Sequence, residues 1–127
     1  MKIAVSSLQD GLSSQIDPRF GRCQYFIIVD PETMKFKVVS NAANISSHGA
    51  GIQAAQIVKD HGVSTVITGN IGPNAFQALS AAGIKLITGA SGTVREVVEK
   101  YKKGELKATD TPTVGGHFGM GGGRGQR

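Results

Sequence analysis

Ile67-Thr68-Gly69-Asn70-Ile71-Gly72 and Ile87-Thr88-Gly89-Ala90-Ser91-Gly92 are two copies of one pattern, I-T-G-x-x-G. A glycine followed by an apolar residue, Gly62-Val63 and Gly83-Ile84, leads into each copy, and a stretch of helical period follows each. Strand, glycine turn and helix in direct succession demand neighbouring parallel strands, because short loops and right-handed crossovers leave few other ways back to the sheet. The repeat therefore sets the fold class as α/β.

Runs rich in Val, Ile or aromatic residues predict strands at Lys2 to Ser6, Tyr25 to Asp30, Lys35 to Ser40, Thr65 to Thr68 and Lys85 to Thr88. Asp30-Pro31-Glu32-Thr33 is turn chemistry that joins the second and third as a hairpin. Lys35 and Lys37 alternate with Phe36 and Val38, the pattern of an edge strand with one wet face. Helices are expected near Ala50 to His61, Pro73 to Ala82 and Thr93 to Lys103. Gly62, Gly83 and Gly104 sit where a left-handed residue ends a helix, Pro73 suits a first turn, and Thr93-Val94-Arg95-Glu96 reads as a capping box. The order βββαβαβα implies a mixed five-stranded sheet with helices packed on it.

The chain has 127 residues and 39% apolar content, enough for one core and one domain. We place that domain at residues 1–108 and a flexible Gly-rich tail at 109–127, where the apolar stripes stop. The single cysteine rules out an internal disulfide and an all-cysteine metal site from one chain. Polar residues follow one short apolar run at the start, so no signal-peptide core and no membrane span are expected, and the reading is cytoplasmic. A net charge of +5 favours an anionic ligand or partner by steering. Nucleic acid is not demanded, for no basic run carries interleaved aromatics.

If strand two alone runs reversed, the loops after the other four strands share one sheet edge. That edge collects Ser6 to Gln24, Ser46 to Gly51 and both I-T-G-x-x-G turns, with three helix N-termini directed at it, an arrangement that accepts anions. The plainer reading is that the glycines serve only as tight turns. In Asp17-Pro18-Arg19-Phe20-Gly21-Arg22-Cys23, Arg19 and Arg22 offer forked donors, and nearby cations would favour the Cys23 thiolate, a soft metal ligand. Against this, a lone cysteine before the apolar run Tyr25 to Val29 is more often a small buried hydrophobe. His48, just ahead of a helix, is either a ligand or an exposed helix-start residue, and His117 is a weaker candidate.

Arg19-Phe20-Gly21-Arg22-Cys23-Gln24-Tyr25-Phe26, His48-Gly49-Ala50-Gly51-Ile52-Gln53-Ala54-Ala55 and Thr68-Gly69-Asn70-Ile71-Gly72-Pro73-Asn74-Ala75-Phe76 resemble the dinitrogenase iron-molybdenum cofactor biosynthesis family, found in NifX-type proteins and at the C-terminus of NifB. The resemblance runs to Leu106. It implies a ribonuclease H-like three-layer fold with sheet order 3-2-1-4-5 and strand 2 antiparallel. It also implies binding, storage or transfer of an iron-sulfur or molybdenum-containing cluster, with cluster donor or acceptor proteins as partners and a homodimer as one way to complete a site. The residues assigned to the anionic cluster are Arg19, Arg22, His48, Gly49, Gly69, Asn70 and Gly89, with Cys23 and His48 as metal ligands.

Catalysis is not expected. A two-metal nuclease needs acids at the ends of adjacent strands, and Lys2-Ile3-Ala4-Val5-Ser6 and Thr68-Gly69 provide none. The alternative is a regulatory or interaction module that binds a phosphate-bearing small molecule or a partner protein on the same edge.

Overall fold

The computed structural model describes residues 1–41 and 49–113. Its elements are β1 (Ile3–Ser7), β2 (Tyr25–Val29), β3 (Phe36–Ser40), α1 (Ala50–Asp60), β4 (Thr65–Ile67), α2 (Pro73–Ala81), β5 (Lys85–Ile87) and α3 (Val94–Lys102). The five strands form one sheet in the order β3-β2-β1-β4-β5. β1 pairs antiparallel to β2 and parallel to β4, β2 antiparallel to β3, and β4 parallel to β5, so β2 alone is reversed.

Alternation along the strands divides the core in two. Ala4, Phe26, Ile28, Val66 and Leu86 face one side, where they meet Ala54, Ala55 and Val58 of α1 and Ala75 and Leu79 of α2. Ile3, Val5, Ile27, Val29, Ile67 and Ile87 face the other, under Val94, Val97 and Val98 of α3 and under Leu12 and Ile16 of the β1–β2 loop. Three layers result. β1 is buried along its whole length, as a central strand covered on both faces must be.

The helix ends follow the expected signals. Gly62, Gly83 and Gly104 have φ of 71°, 75° and 73°, the left-handed conformation that stops a helix. Thr93 caps α3 reciprocally: Glu96 N donates to Thr93 Oγ1 at 3.1 Å, and Thr93 N donates to Glu96 Oε1 at 2.8 Å.

Two observations refine the reading. Phe36 and Val38, which alternate with the lysines of β3, are themselves 45% and 37% exposed, and only Val39 of β3 is partly buried. The sheet is about 19 Å wide and α3 about 10 Å, so one helix and a loop do not reach the edge strand. Thr109 to Thr113, where the flexible tail is expected to begin, are bonded to the body. Thr109 N donates to Leu86 O at 2.6 Å, Thr88 N donates to Thr109 Oγ1 at 3.0 Å, and Thr113 N donates to Ile71 O at 3.0 Å. These bonds satisfy a backbone group of β5 and others just past the ends of β4 and β5, a role that composition does not reveal. None of the described helices is long and apolar enough to cross a membrane.

Candidate functional site

The β1–β2 loop is held along the end of β4. Asp17 N donates to Ser6 O at 2.9 Å, and Ser6 Oγ donates to Asp17 O at 2.6 Å while lying 2.7 Å from Thr68 Oγ1. Asn70 N then donates to Pro18 O at 2.7 Å, and Phe20 N to Asn70 O at 3.3 Å. Gly69 permits this approach: a Cβ there would stand 2.6 Å from Pro18 Cα. Gly21 does the same against α1, where a Cβ would stand 3.0 Å from Gly51 N. Gly51 in turn lets α2 close in, since its own Cβ would meet Ala75 Cβ at 3.1 Å. Small residues thus bring one loop and the first turns of two helices together.

Where they meet lies a cleft of about 500 Å³, lined by residues 19–22, 49–52 and 70–75. The N-caps of α1 and α2 are Gly49 and Gly72, neither with a side-chain cap, and the first helical bonds reach back from Gln53 N to Gly49 O and from Phe76 N to Gly72 O. The amides ahead of those bonds have no partner within their helices, so two positive helix ends open on one space. Arg19 and Arg22 lie on its wall and, among the described residues, no acid does, while Phe20, Ile52, Ile71 and Pro73 make part of it apolar.

Arg19 is positioned by Asp17. The Asp17 carboxylate is 1% exposed and takes three donors: Arg19 N at 2.9 Å, Nε at 3.0 Å and a terminal guanidinium nitrogen at 3.0 Å. These hydrogen bonds, with the charge of Asp17, raise the Arg19 pKa. The guanidinium itself remains 63% exposed. A fork fixed on one side leaves its other edge for a second anion.

Residues 1–104 match the dinitrogenase iron-molybdenum cofactor family. The chain belongs to this family. An uncharacterised protein of Methanocaldococcus jannaschii is 30% identical over 98 residues, which is 75% of this chain and 83% of that one. Among solved structures, the apo form of the orange protein from Desulfovibrio gigas superposes with a TM-score of 0.87 at 43% identity, covering 89% of this chain and 96% of that one. A putative NifB protein from Thermotoga gives 0.75 at 36% identity, with coverage of 89% and 98%.

Of the residues assigned from the family motifs, Arg19, Arg22, Gly49 and Asn70 come together on the cleft. Gly69 lies behind it, packed on Pro18. Gly89 is not among the lining residues, and its N donates to Gly69 O at 2.8 Å. His48 and His117 lie outside the described residues. The third helix start does not contribute either. α3 packs on the opposite face, and its first amides are taken: Val94 N donates to Ser14 O and Arg95 N to Leu12 O, both at 2.9 Å.

Cys23 takes the small buried apolar position that was one of its two readings. It is 0% exposed within the core under α1 and α2, donates from Sγ to Phe20 O at 3.3 Å, and accepts from Asn41 Nδ2 at 3.6 Å. Burial pushes its thiol up to about 12, and the Asp17 charge adds to the effect. The cations expected to favour a thiolate do not prevail, because Arg19 is committed to Asp17 and desolvation dominates. The cleft residues that motif reading passed over include Phe20, Gly21, Ile52, Ile71, Pro73 and Asn74. Their signal was available, since all sit inside the three family motifs.

Proposed function

We propose that the protein holds an anionic metal-sulfur cluster in this cleft, without catalysis, and stores it or passes it to a partner protein. One observation carries the reading: two helix starts without side-chain caps share with Arg19 and Arg22 a cleft that has no acid among its described lining residues. Fixed amide dipoles and guanidinium forks suit a large, delocalised anion, and the apolar patch suits its sulfide faces. Membership of an iron-molybdenum cofactor family supports a cluster as cargo. Retention through charge and backbone amides, rather than through the buried Cys23 thiol, suits a carrier that must also release. We also read the sheet order as ribonuclease H-like, without that fold's catalytic acids.

Anaerobic incubation with tetrathiomolybdate, desalting, metal analysis and visible spectra test the proposal. The full chain is expected to retain molybdenum, and Arg19→Ala with Arg22→Ala to lower the affinity by tenfold or more, at least what one charge-assisted hydrogen bond supplies. No retention by the full chain overturns it.

The phosphate-binding alternative has one observation in its favour: no Cys, His or Met is among the described lining residues. Competition separates the two. Inorganic phosphate or a nucleotide that displaces tetrathiomolybdate at equal concentration would favour the regulatory module.

A further inference from the structure

The sheet closes one of its edges and leaves the other open. β5 is three residues long, and Thr109 N donates to Leu86 O at 2.6 Å on its outer side. β3 is five residues long, and no described segment bonds to its outer side. Asp30 N donates to Lys35 O at 2.9 Å and Asn41 N to Gln24 O at 3.0 Å, and antiparallel bonding alternates between these two points. Lys37 and Val39 therefore turn their main-chain groups toward β2, while Phe36, Val38 and Ser40 turn theirs outward. Such a row is a template for one more strand.

Side chains decide which strand fits. Lys37 stands beside Ile28 on the face of α1 and α2, with Lys35 two residues before it, and Phe36 and Val38 stand beside Val29 and Ile27 on the face of α3. Next to the strand lies a groove of about 320 Å³ lined by Lys2, Lys35, Lys37 and His61, where Asp30 is the one acid among the described residues. Lysines by themselves guard an edge against stray pairing. Guarding does not require the apolar surface of Phe36 and Val38, 45% and 37% exposed. A second copy of β3 fits poorly. Antiparallel registers centred on Phe36, Lys37 or Val38 set Lys37 opposite Lys35 or Lys37 of the other copy, or one diagonal step from it, and facing like charges are destabilising.

We infer that β3 receives an extended segment of a partner protein as a sixth strand, with acidic residues along the lysine face and apolar residues along the Phe36 and Val38 face. The main chain supplies affinity and the alternating side chains supply choice. Asn41, just past β3, donates from Nδ2 to Gly21 O at 3.2 Å and to Cys23 O at 2.9 Å, so this edge ends at the loop that walls the cleft. A partner seated here is beside the cleft rim. The inference stands on the edge alone and does not need the cleft to hold an anion.

The probe is a capped, fluorescent peptide of strand length, about seven residues, that alternates glutamate and valine. Anisotropy with the full chain at low salt is expected to show saturable binding with Kd tighter than about 1 mM. A lysine and valine peptide of the same length, and the acidic peptide N-methylated at its bonding amides, are expected to bind at least about tenfold more weakly. Lys35→Glu with Lys37→Glu, both at exposed positions, should reverse the preference between the two charge types. Hydrogen exchange should slow at the amides of Phe36, Val38 and Ser40 when the acidic peptide binds, and stay unchanged at Lys37 and Val39. No binding tighter than about 1 mM, equal affinity for the two charge types, indifference to N-methylation, or unchanged exchange at the three outward amides overturns the inference. So does a dimer of the free chain that protects those same amides, since a second copy then fills the edge.

Discussion

A cysteine whose thiol is pushed up to about 12 is protonated at neutral pH and meets no solvent. Cys23 is therefore expected to resist a soluble disulfide reagent at pH 8 until the chain unfolds, and thiol titration with and without denaturant checks this. Stability carries the same mark. The folded chain favours the neutral thiol, so its contribution is complete below the ordinary thiol value of about 9.0 and is lost as pH rises toward 12. Denaturation midpoints of the wild type and Cys23→Ser, compared across that window, should converge as the pH climbs. Gly69→Ala places a methyl 2.6 Å from Pro18 Cα, where only backbone can yield. It should cost about 1–3 kcal/mol by urea unfolding, the range for overpacking in a tight interior. Asp17→Asn keeps the shape and loses the charge facing Arg19, and it should cost about 2 kcal/mol while weakening anion binding. Gly69 and Cys23 were both legible as special residues. What made them special was not, because Pro18 and Asn41 become neighbours only through tertiary contact.

Helix ends were readable because capping is local. The glycines after each helix and the Thr93 to Glu96 box lie within four residues of what they terminate, and no distant partner can hide them. Thr93→Ala should cost about 1 kcal/mol of stability, as loss of such a cap usually does, measured by thermal or urea unfolding. Which helix serves the cleft was not readable. All three start at the same sheet edge, yet α3 spends its first amides on Ser14 and Leu12, whereas α1 and α2 begin on glycines whose side chains cannot compete with a ligand. The edge strand was half legible: its lysines foretold exposure, but the width left uncovered beyond α3 depended on packing. Val38→Lys should accordingly change stability by less than about 0.5 kcal/mol, as surface substitutions do.

At the scale of the molecule, a net charge of +5 and two arginines on one cleft would make the proposed anion capture sensitive to salt. Tetrathiomolybdate association should slow markedly between low salt and about 0.5 M, as the screening length shrinks from tens of ångströms to a few, and stopped-flow mixing reads this directly. The central place of β1 bears on how the chain comes off the ribosome. Its β2 partner follows within one loop, but Thr65 to Ile67, which complete its other side, are made some 60 residues after Ile3 to Val5. At the usual pace of synthesis that interval lasts about 3 to 12 s. Throughout it the newborn hairpin carries a bare apolar border where β4 will later dock. A nascent chain stalled before Thr65 should therefore engage holding chaperones, and one released beyond Ile87 should not.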